Sequence, residues 1–402
     1  MGNRRVVVTG IGALTPLGAD LPTFWANLQA GASGADSITR FDASQFKTRF
    51  ACEIKDYDPH HYLDRKEVRK LDPFSQYALI STDEAVKDSQ MDFEQLDTNR
   101  IGVIWGSGIG GLKTFQDEVT SFVQGDGKPK FSPFFIPKMI IDIASGNISM
   151  RYGLRGVNYA TVSACASSGN AISEAYNYIK SGKNDAMITG GSEASIIEAA
   201  IGGFNSMKAL SERNDDPKTA SRPFDKSRDG FVLGEGSCTL ILEELEHARS
   251  RGAKIYAEML GGGMSADAYH LTAPDPNGYG ARLVMNNALE EADINLDQID
   301  YINVHGTSTP QGDVAELRAI QQVFGEHTYD LNISSTKSMT GHLLGAAGSI
   351  EAVATVLAVS INTGPPSITH FVDDPDIDAD LNLTFHHAQN RTFYYSMTNT
   401  FG

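Results

Sequence analysis

The chain reads as an α/β protein built from two similar halves, on three observations. Short β-rich apolar runs end repeatedly in glycine and small polar residues, segments of helical character lie between them, and this order occurs twice along 402 residues. The first half opens with a strand at 5–9 that runs into Gly10-Ile11-Gly12, and the second with one at 255–260 that runs into Gly261-Gly262-Gly263. Next comes a β-rich run ahead of a loop of small residues. In the first half it is 101–105 before Gly106-Ser107-Gly108-Ile109-Gly110-Gly111, and in the second 299–304 before His305-Gly306-Thr307-Ser308-Thr309. A third pair sets 157–162, followed by Ser163-Ala164-Cys165 and a helix, beside 331–334, followed by Lys337, His342 and a helix. Strands alternating with helices imply parallel or mixed sheets with helices on their faces, and ligands gather where strand C-termini meet loops.

The two helices differ in pattern. After Cys165, residues Ile172, Ala175, Tyr176 and Ile179 fall at i, i+3, i+4 and i+7, the stripe of a partly exposed helix. The run 343–359 is apolar nearly all round and rich in small residues, which predicts a central, buried helix. Between the halves, 211–236 mixes Arg213, Asp215, Asp216, Arg222, Asp225, Arg228 and Asp229 among Pro and Gly. Lacking the monotony of a flexible linker, it is expected to be an ordered excursion near the site.

With 41% hydrophobic residues the chain can bury a large core. Lys and Arg total 33 against 50 Asp and Glu, and the net charge of −17 argues against nucleic acid or an anionic membrane as a partner held by the overall field. An acidic partner then needs a local basic patch. Cys52, Cys165 and Cys238 are odd in number and scattered, so neither a disulfide framework nor a zinc site is suggested, and a cytoplasmic location fits. The apolar run 6–14 follows two arginines but is glycine-broken and lacks a clear cleavage site, so it is expected to be a buried strand. No other stretch is expected to reach the apolar length of a membrane span.

The chemistry concentrates in four residues. Cys165 sits between a strand and a helix among Ser163, Ala164, Ala166, Ser167, Ser168 and Gly169. At a helix start, unpaired N–H groups favour thiolate and bind a carbonyl oxygen as it becomes an oxyanion, so a lowered thiol pKa is expected. His305 ends an apolar strand at its C-terminal edge, and Lys337 and His342 lie just ahead of the buried helix. A buried lysine is expensive unless used or paired. Singly, each residue has a blander reading as core thiol, capping imidazole or solvent amine. Together, on matching junctions of a repeated plan, they point to nucleophilic acyl chemistry. The histidines show no HExxH-like spacing, and the glycine-rich stretches give neither a clean GxGxxG nor a Walker pattern.

At these residues the sequence resembles the β-ketoacyl-acyl-carrier-protein synthases, type I/II branch and most like type II, of the thiolase-like condensing-enzyme superfamily. The resemblance rests on Val8-Thr9-Gly10-Ile11-Gly12, Ser163-Ala164-Cys165-Ala166, Ser221-Arg222-Pro223-Phe224-Asp225, Arg228-Asp229-Gly230-Phe231, Gly234-Glu235-Gly236, His305-Gly306-Thr307-Ser308-Thr309 and Lys337-Ser338-Met339-Thr340-Gly341-His342. A Cys-His-His set is similar to this branch, whereas type III synthases carry Cys-His-Asn and thiolases Cys-His-Cys. The resemblance implies a thiolase-like fold, two pseudo-symmetric halves with mixed five-stranded sheets in α-β-α-β-α layers, divided at 1–252 and 253–402. It also implies decarboxylative Claisen condensation of a Cys165-bound acyl group with malonyl-acyl carrier protein in fatty-acid elongation, with a specialised polyketide pathway or a coenzyme A thiolase as rivals.

The site residues carried over by the resemblance are Cys165 as nucleophile, His305 and His342 as donors to the enolate oxygen, and Lys337 to anchor them. Thr307 and Thr309 are expected to bind the pantetheine arm, and Ile109, Phe204 and Phe401 to line or close the acyl pocket. Catalysis would need no cofactor, the 4′-phosphopantetheine arriving on the carrier. A structural sodium or potassium ion is implied at Asn303, Glu351, Thr398 and Asn399. The implied partners are an acidic acyl carrier protein and a second copy in a homodimer. Arg65, Lys66, Arg69 and Lys70 would share one face of a helix at 63–71, extended by Lys128, Lys130 and Lys208. The family continues beyond Asn399-Thr400-Phe401-Gly402 with a further Phe-Gly-Gly stretch, so the last strand of the second half is expected to be cut short.

Overall fold

The computed structural model describes residues 4–402. Strand β1, Val6–Leu14, is buried throughout, and helix α1, Pro73–Ser89, covers it. Strands β2 (Ile101–Gly106) and β3 (Asn158–Thr161) precede helix α2, Ser167–Lys180. Strands β4 (Ala186–Glu193) and β5 (Gly236–Glu244) complete the first half. The second half repeats the plan with β6 (Ala257–Met259), α3 (Tyr279–Ala292), β7 (Tyr301–Asn303), α4 (Pro310–Phe324), β8 (Asn332–Ser334), α5 (Ala347–Ile361) and β9 (Ser396–Thr398).

The first sheet runs β3-β2-β4-β5-β1-β6, and the second β8-β7-β9. In both, the strand before the nucleophile or lysine loop pairs in parallel with the strand before the glycine or histidine loop. The first half supplies its five strands as expected. The second sheet, however, has three strands among the described residues, not five. No strand of that half lies beside β6, whose backbone groups must still be paired, and β6 pairs antiparallel with β1, Val6 opposite Met259.

Alternation along the strands divides the core into layers. Ile101, Val103 and Trp105 of β2 pack with Phe74, Tyr77 and Ala78 of α1, whereas Ile104 faces the interior with Ala171, Ala175, Ile350 and Val353 of α2 and α5. On β1 the inward set is Val6 and Val8, then Ile11 and Ala13. The change of parity follows from a register shift between Val8 and Gly10, because one extra residue turns every later side chain to the other face. Met285 and Leu289 of α3 and Leu317, Ile320 and Phe324 of α4 cover the outer face of the second sheet. The order is helix, sheet, helix, sheet, helix.

The segment Leu344–Ile361 is 18 residues long and apolar enough to match a membrane span, against the expectation from sequence. It is 78% buried inside the protein, where apolarity on every side serves the central layer between two sheets. Close approach elsewhere depends on glycine: a methyl at Gly12 would lie 1.9 Å from the Ser81 carbonyl oxygen of α1. Gly12→Ala is expected to destabilise the protein by about 2 kcal/mol, measured as an earlier thermal transition with an unchanged far-ultraviolet spectrum.

Candidate active site

Between β3 and α2 the chain turns at Ala164, whose φ of +49° is left-handed. The Ser167 hydroxyl secures this turn, donating to the Ala164 carbonyl at 2.7 Å and accepting from the Ser163 N–H at 2.9 Å. Cys165 is thereby presented just ahead of α2, half-buried, in an apolar cluster with Ile109, Phe204, Phe231 and Leu344. This surrounding corrects the expectation of a lowered pKa. Burial pushes the Cys165 thiol up to about 12, with Lys337 pulling the other way, because loss of water outweighs the helix terminus. At rest the sulfur is a thiol.

His305 follows β7, and its N–H and that of Gly306 each donate to the buried Glu316 carboxylate at 2.8 Å. His342 is held by the excursion at 211–236, which is ordered: the His342 N–H donates to the Val232 carbonyl at 2.7 Å, and the Gly234 N–H to the His342 carbonyl at 2.9 Å. These contacts bring the two imidazoles together, edge to face, with ring centroids 5.3 Å apart. His342 Nε2 lies 2.9 Å from Cys165 Sγ. Burial, first, and the Lys337 charge hold both imidazoles well below the ordinary histidine range, so both are neutral.

Lys337 is buried and ion-paired with Glu351, whose carboxyl burial pushes up against the pull of that lysine. Its Nζ lies 3.3 Å from His305 Nδ1. An ammonium has no lone pair, so it donates, and a neutral His305 must carry its hydrogen on Nε2. No such partner fixes His342, whose Nδ1 is buried without a hydrogen bond among the described residues. Its Nε2 can therefore accept from the thiol, or donate in the other tautomer.

Around this centre, Phe231 packs edge to face on His342 and on Phe204, with centroids 5.1 and 5.4 Å apart. Phe401 lies 5.5 Å from the His305 ring, and the Thr400 hydroxyl donates to the Cys165 carbonyl at 3.0 Å. Thr307 and Thr309 bond each other through their hydroxyls at 3.0 Å. Phe231 and Thr400 stand in stretches quoted for the resemblance but receive no role from sequence, and Glu316 is not named there at all. Glu316 carries a usable signal, a carboxylate amid Val314, Ala315, Leu317, Ala319 and Ile320 on the buried side of α4.

Asn303 and Thr398 are partners in register on β7 and β9, and α5, bearing Glu351, packs against both strands. Both side-chain polar atoms of Asn303, Glu351 Oε2 and Thr398 Oγ1 are buried without hydrogen-bond partners among the described residues. The Asn399 amide instead donates to Glu316 at 3.2 Å. The expected basic helix is shorter than 63–71, spanning Arg65–Lys70, with Asp64 and Glu67 forming a capping box that fixes its start. Arg65, Lys66, Arg69 and Lys70 are exposed, as are Lys130 and Lys208, while Lys128 is paired with Asp126 at 2.9 Å.

Comparison with known proteins bears directly on this arrangement. Residues 3–248 match the family model "Beta-ketoacyl synthase, N-terminal domain", and 256–370 match "Beta-ketoacyl synthase, C-terminal domain". The chain is 48% identical over 399 residues to 3-oxoacyl-[acyl-carrier-protein] synthase 2 of Synechocystis sp., covering 99% of this chain and 95% of that protein. A β-ketoacyl synthase structure from Burkholderia phymatum superposes with a TM-score of 0.91 at 35% identity, over 99% of this chain and 96% of that one. A type II PKS acyl-carrier protein in complex with its ketosynthase bound to the hexaketide gives a TM-score of 0.89 at 31% identity, over 99% and 96%.

Proposed function

The chain belongs to the β-ketoacyl synthase family, an acyltransferase family, and from that premise we propose that it elongates fatty acyl chains on acyl carrier protein through Cys165, His305, His342 and Lys337. The observation that carries this reading is the thiol 2.9 Å from one neutral imidazole with a second imidazole packed edge to face on the first. In the first stage the Cys165 sulfur bonds to the acyl carbonyl carbon, the thioester to the carrier breaks, and the thiol proton passes through His342 to the departing carrier thiolate. In the second, malonyl carrier loses carbon dioxide. The electron pair left behind forms an enolate whose oxygen accepts from the Nε2–H groups of His305 and His342. The enolate carbon then attacks the acyl thioester, the C–S bond to Cys165 breaks, and the thiolate that leaves takes up one proton from water. Lys337 keeps His305 in the donating tautomer.

Turnover of acyl carriers of graded length with malonyl carrier tests the reading directly. Carbon dioxide and 3-oxoacyl carrier are expected in equal amounts. Condensation of acyl-coenzyme A without carbon dioxide would make the chain a thiolase-type enzyme, and no product of either kind would defeat the proposal.

We also propose a monovalent cation at Asn303, Glu351 and Thr398, supported by their unpaired buried atoms. Neutral oxygens with one carboxylate suit a hard, singly charged ion, which would tie α5 to the second sheet. Asn399 would contribute through its carbonyl oxygen alone. A homodimer is supported by β3, the outer strand of its sheet, which sits beside the exposed Val162 and Met150 and presents an unpaired edge. A cytoplasmic location accords with three free cysteines.

The carrier is expected to dock on the basic face of Arg65–Lys70, with Lys130 and Lys208 as lesser contributors. Reversing Arg65 and Arg69 to Glu is expected to raise KM for carrier-bound substrate about fivefold at low ionic strength, with added salt shrinking the difference. KM for a small pantetheine thioester should stay constant. An equal loss with both substrates would place these residues in support of the fold instead.

A further inference from the structure

Glu193, the last residue of β4, is fully buried and takes no part in the chemistry above. Its carboxylate gathers five neutral donors from two loops. Oε2 accepts from the Gly108 N–H at 2.8 Å and the Gly345 N–H at 3.0 Å. Oε1 accepts from the Ile109 N–H at 3.2 Å, the Gly110 N–H at 3.3 Å and the Ser107 hydroxyl at 3.2 Å. The two loops touch backbone to backbone at this point, since a methyl on Gly345 would lie 2.0 Å from the Gly108 nitrogen.

Both loops carry a wall of the apolar cluster around Cys165: Ile109 on one, Leu344 on the other. Neither is stiff by its own sequence. The first is Gly106-Ser107-Gly108-Ile109-Gly110-Gly111, rich in the most permissive residue. The second holds Leu344 at a left-handed φ of +48°, a conformation that persists only where its surroundings impose it. The carboxylate is what both loops share.

We propose that Glu193 is a positioning residue for substrate specificity: its carboxylate clamps the Ser107–Gly110 loop to the Gly345 turn and so sets the length of acyl chain that Cys165 accepts. This rests on the acyltransferase reading above. A carboxylate is required because only an acceptor at both oxygens satisfies donors on both sides. Glutamine has nearly the same shape but must turn an NH2 toward one set of N–H groups: at the Oε2 position it breaks the bridge between Gly108 and Gly345, and at the Oε1 position it repels the N–H groups of Ile109 and Gly110 and loosens that wall.

The test is the rate of acyl loading on Cys165, followed by intact mass spectrometry, across saturated acyl carriers graded in length, for the wild type and Glu193→Gln. Wild type is expected to discriminate among lengths. In Glu193→Gln the ratio of best to worst kcat/KM is expected to fall about tenfold, equivalent to about 1.4 kcal/mol, because the released walls no longer favour one length. A residue that merely supported the fold would lower all lengths in proportion. That outcome, or an unchanged profile, overturns the proposal. If Glu193→Gln does not fold, Ser107→Ala removes one donor to Glu193 and one acceptor of the Gly110 N–H and is expected to flatten the profile in the same sense by roughly threefold; an unaltered ratio there overturns it equally. A wild-type chain that loads no acyl group from any carrier would defeat the acyltransferase reading itself, and the clamp with it.

Discussion

Cys165→Ala is expected to abolish acyl loading and condensation together, lowering both by more than about 10⁴-fold, as removal of a covalent nucleophile does. In the proposed mechanism this sulfur is the atom that bonds to the acyl carbon, and it is the one thiol hydrogen-bonded to an imidazole among the described residues. Cys52 and Cys238 are fully buried, in apolar clusters other than the one around Cys165. The fold should survive, because a small side chain is exchanged for one slightly smaller at a half-buried position. A thermal midpoint close to wild type with no acyl adduct by intact mass is the expected pair of results. An adduct retained in the variant would sink the assignment.

His305→Ala and His342→Ala are each expected to reduce malonyl decarboxylation by about 10²–10³-fold, the usual effect of removing one donor to a developing oxyanion, and to slow acyl loading far less. The geometry divides the two effects. His305 faces Lys337 through Nδ1, and the hydrogen bond to the sulfur comes from His342, so loading should be nearly unchanged without His305. His342 touches Cys165 Sγ through Nε2 and also serves the thiol proton, so its loss should slow loading by roughly tenfold. Single-turnover loading and carbon dioxide release, measured on the same variants, separate these roles. If loading fails first in His305→Ala, the enolate assignment is wrong.

Much of the site is legible in the order of residues. Cys165, His305, Lys337 and His342 each follow a short apolar strand, and a strand end is a place that periodicity and turn residues mark locally. The buried helix after His342 declares itself in the same way, by apolarity on every face. What is not legible is of a different kind. The pKa of Cys165 depends on Ile109, Phe204, Phe231 and Leu344 closing over it, and those residues are spread across both halves, so the local signal of a helix start points in the wrong direction. Phe231 and Thr400 are ordinary core-like residues in sequence and acquire meaning only from what they touch.

Sequence alone determined the repeated strand-and-loop plan, the placing of Cys165, His305, Lys337 and His342 just past its strand ends and the basic run Arg65–Lys70 on an acidic chain, because each is written in the order of neighbouring residues. Only the tertiary structure decided that β6 pairs with β1, that the second sheet has three strands among the described residues, and that Lys337 is paired with Glu351 and donates to His305. It alone joined Glu193 to five donors on two loops. The reason is physical. Backbone pairing and the desolvation of charge are settled between residues tens to hundreds of positions apart, at distances of a few ångströms that no local pattern encodes.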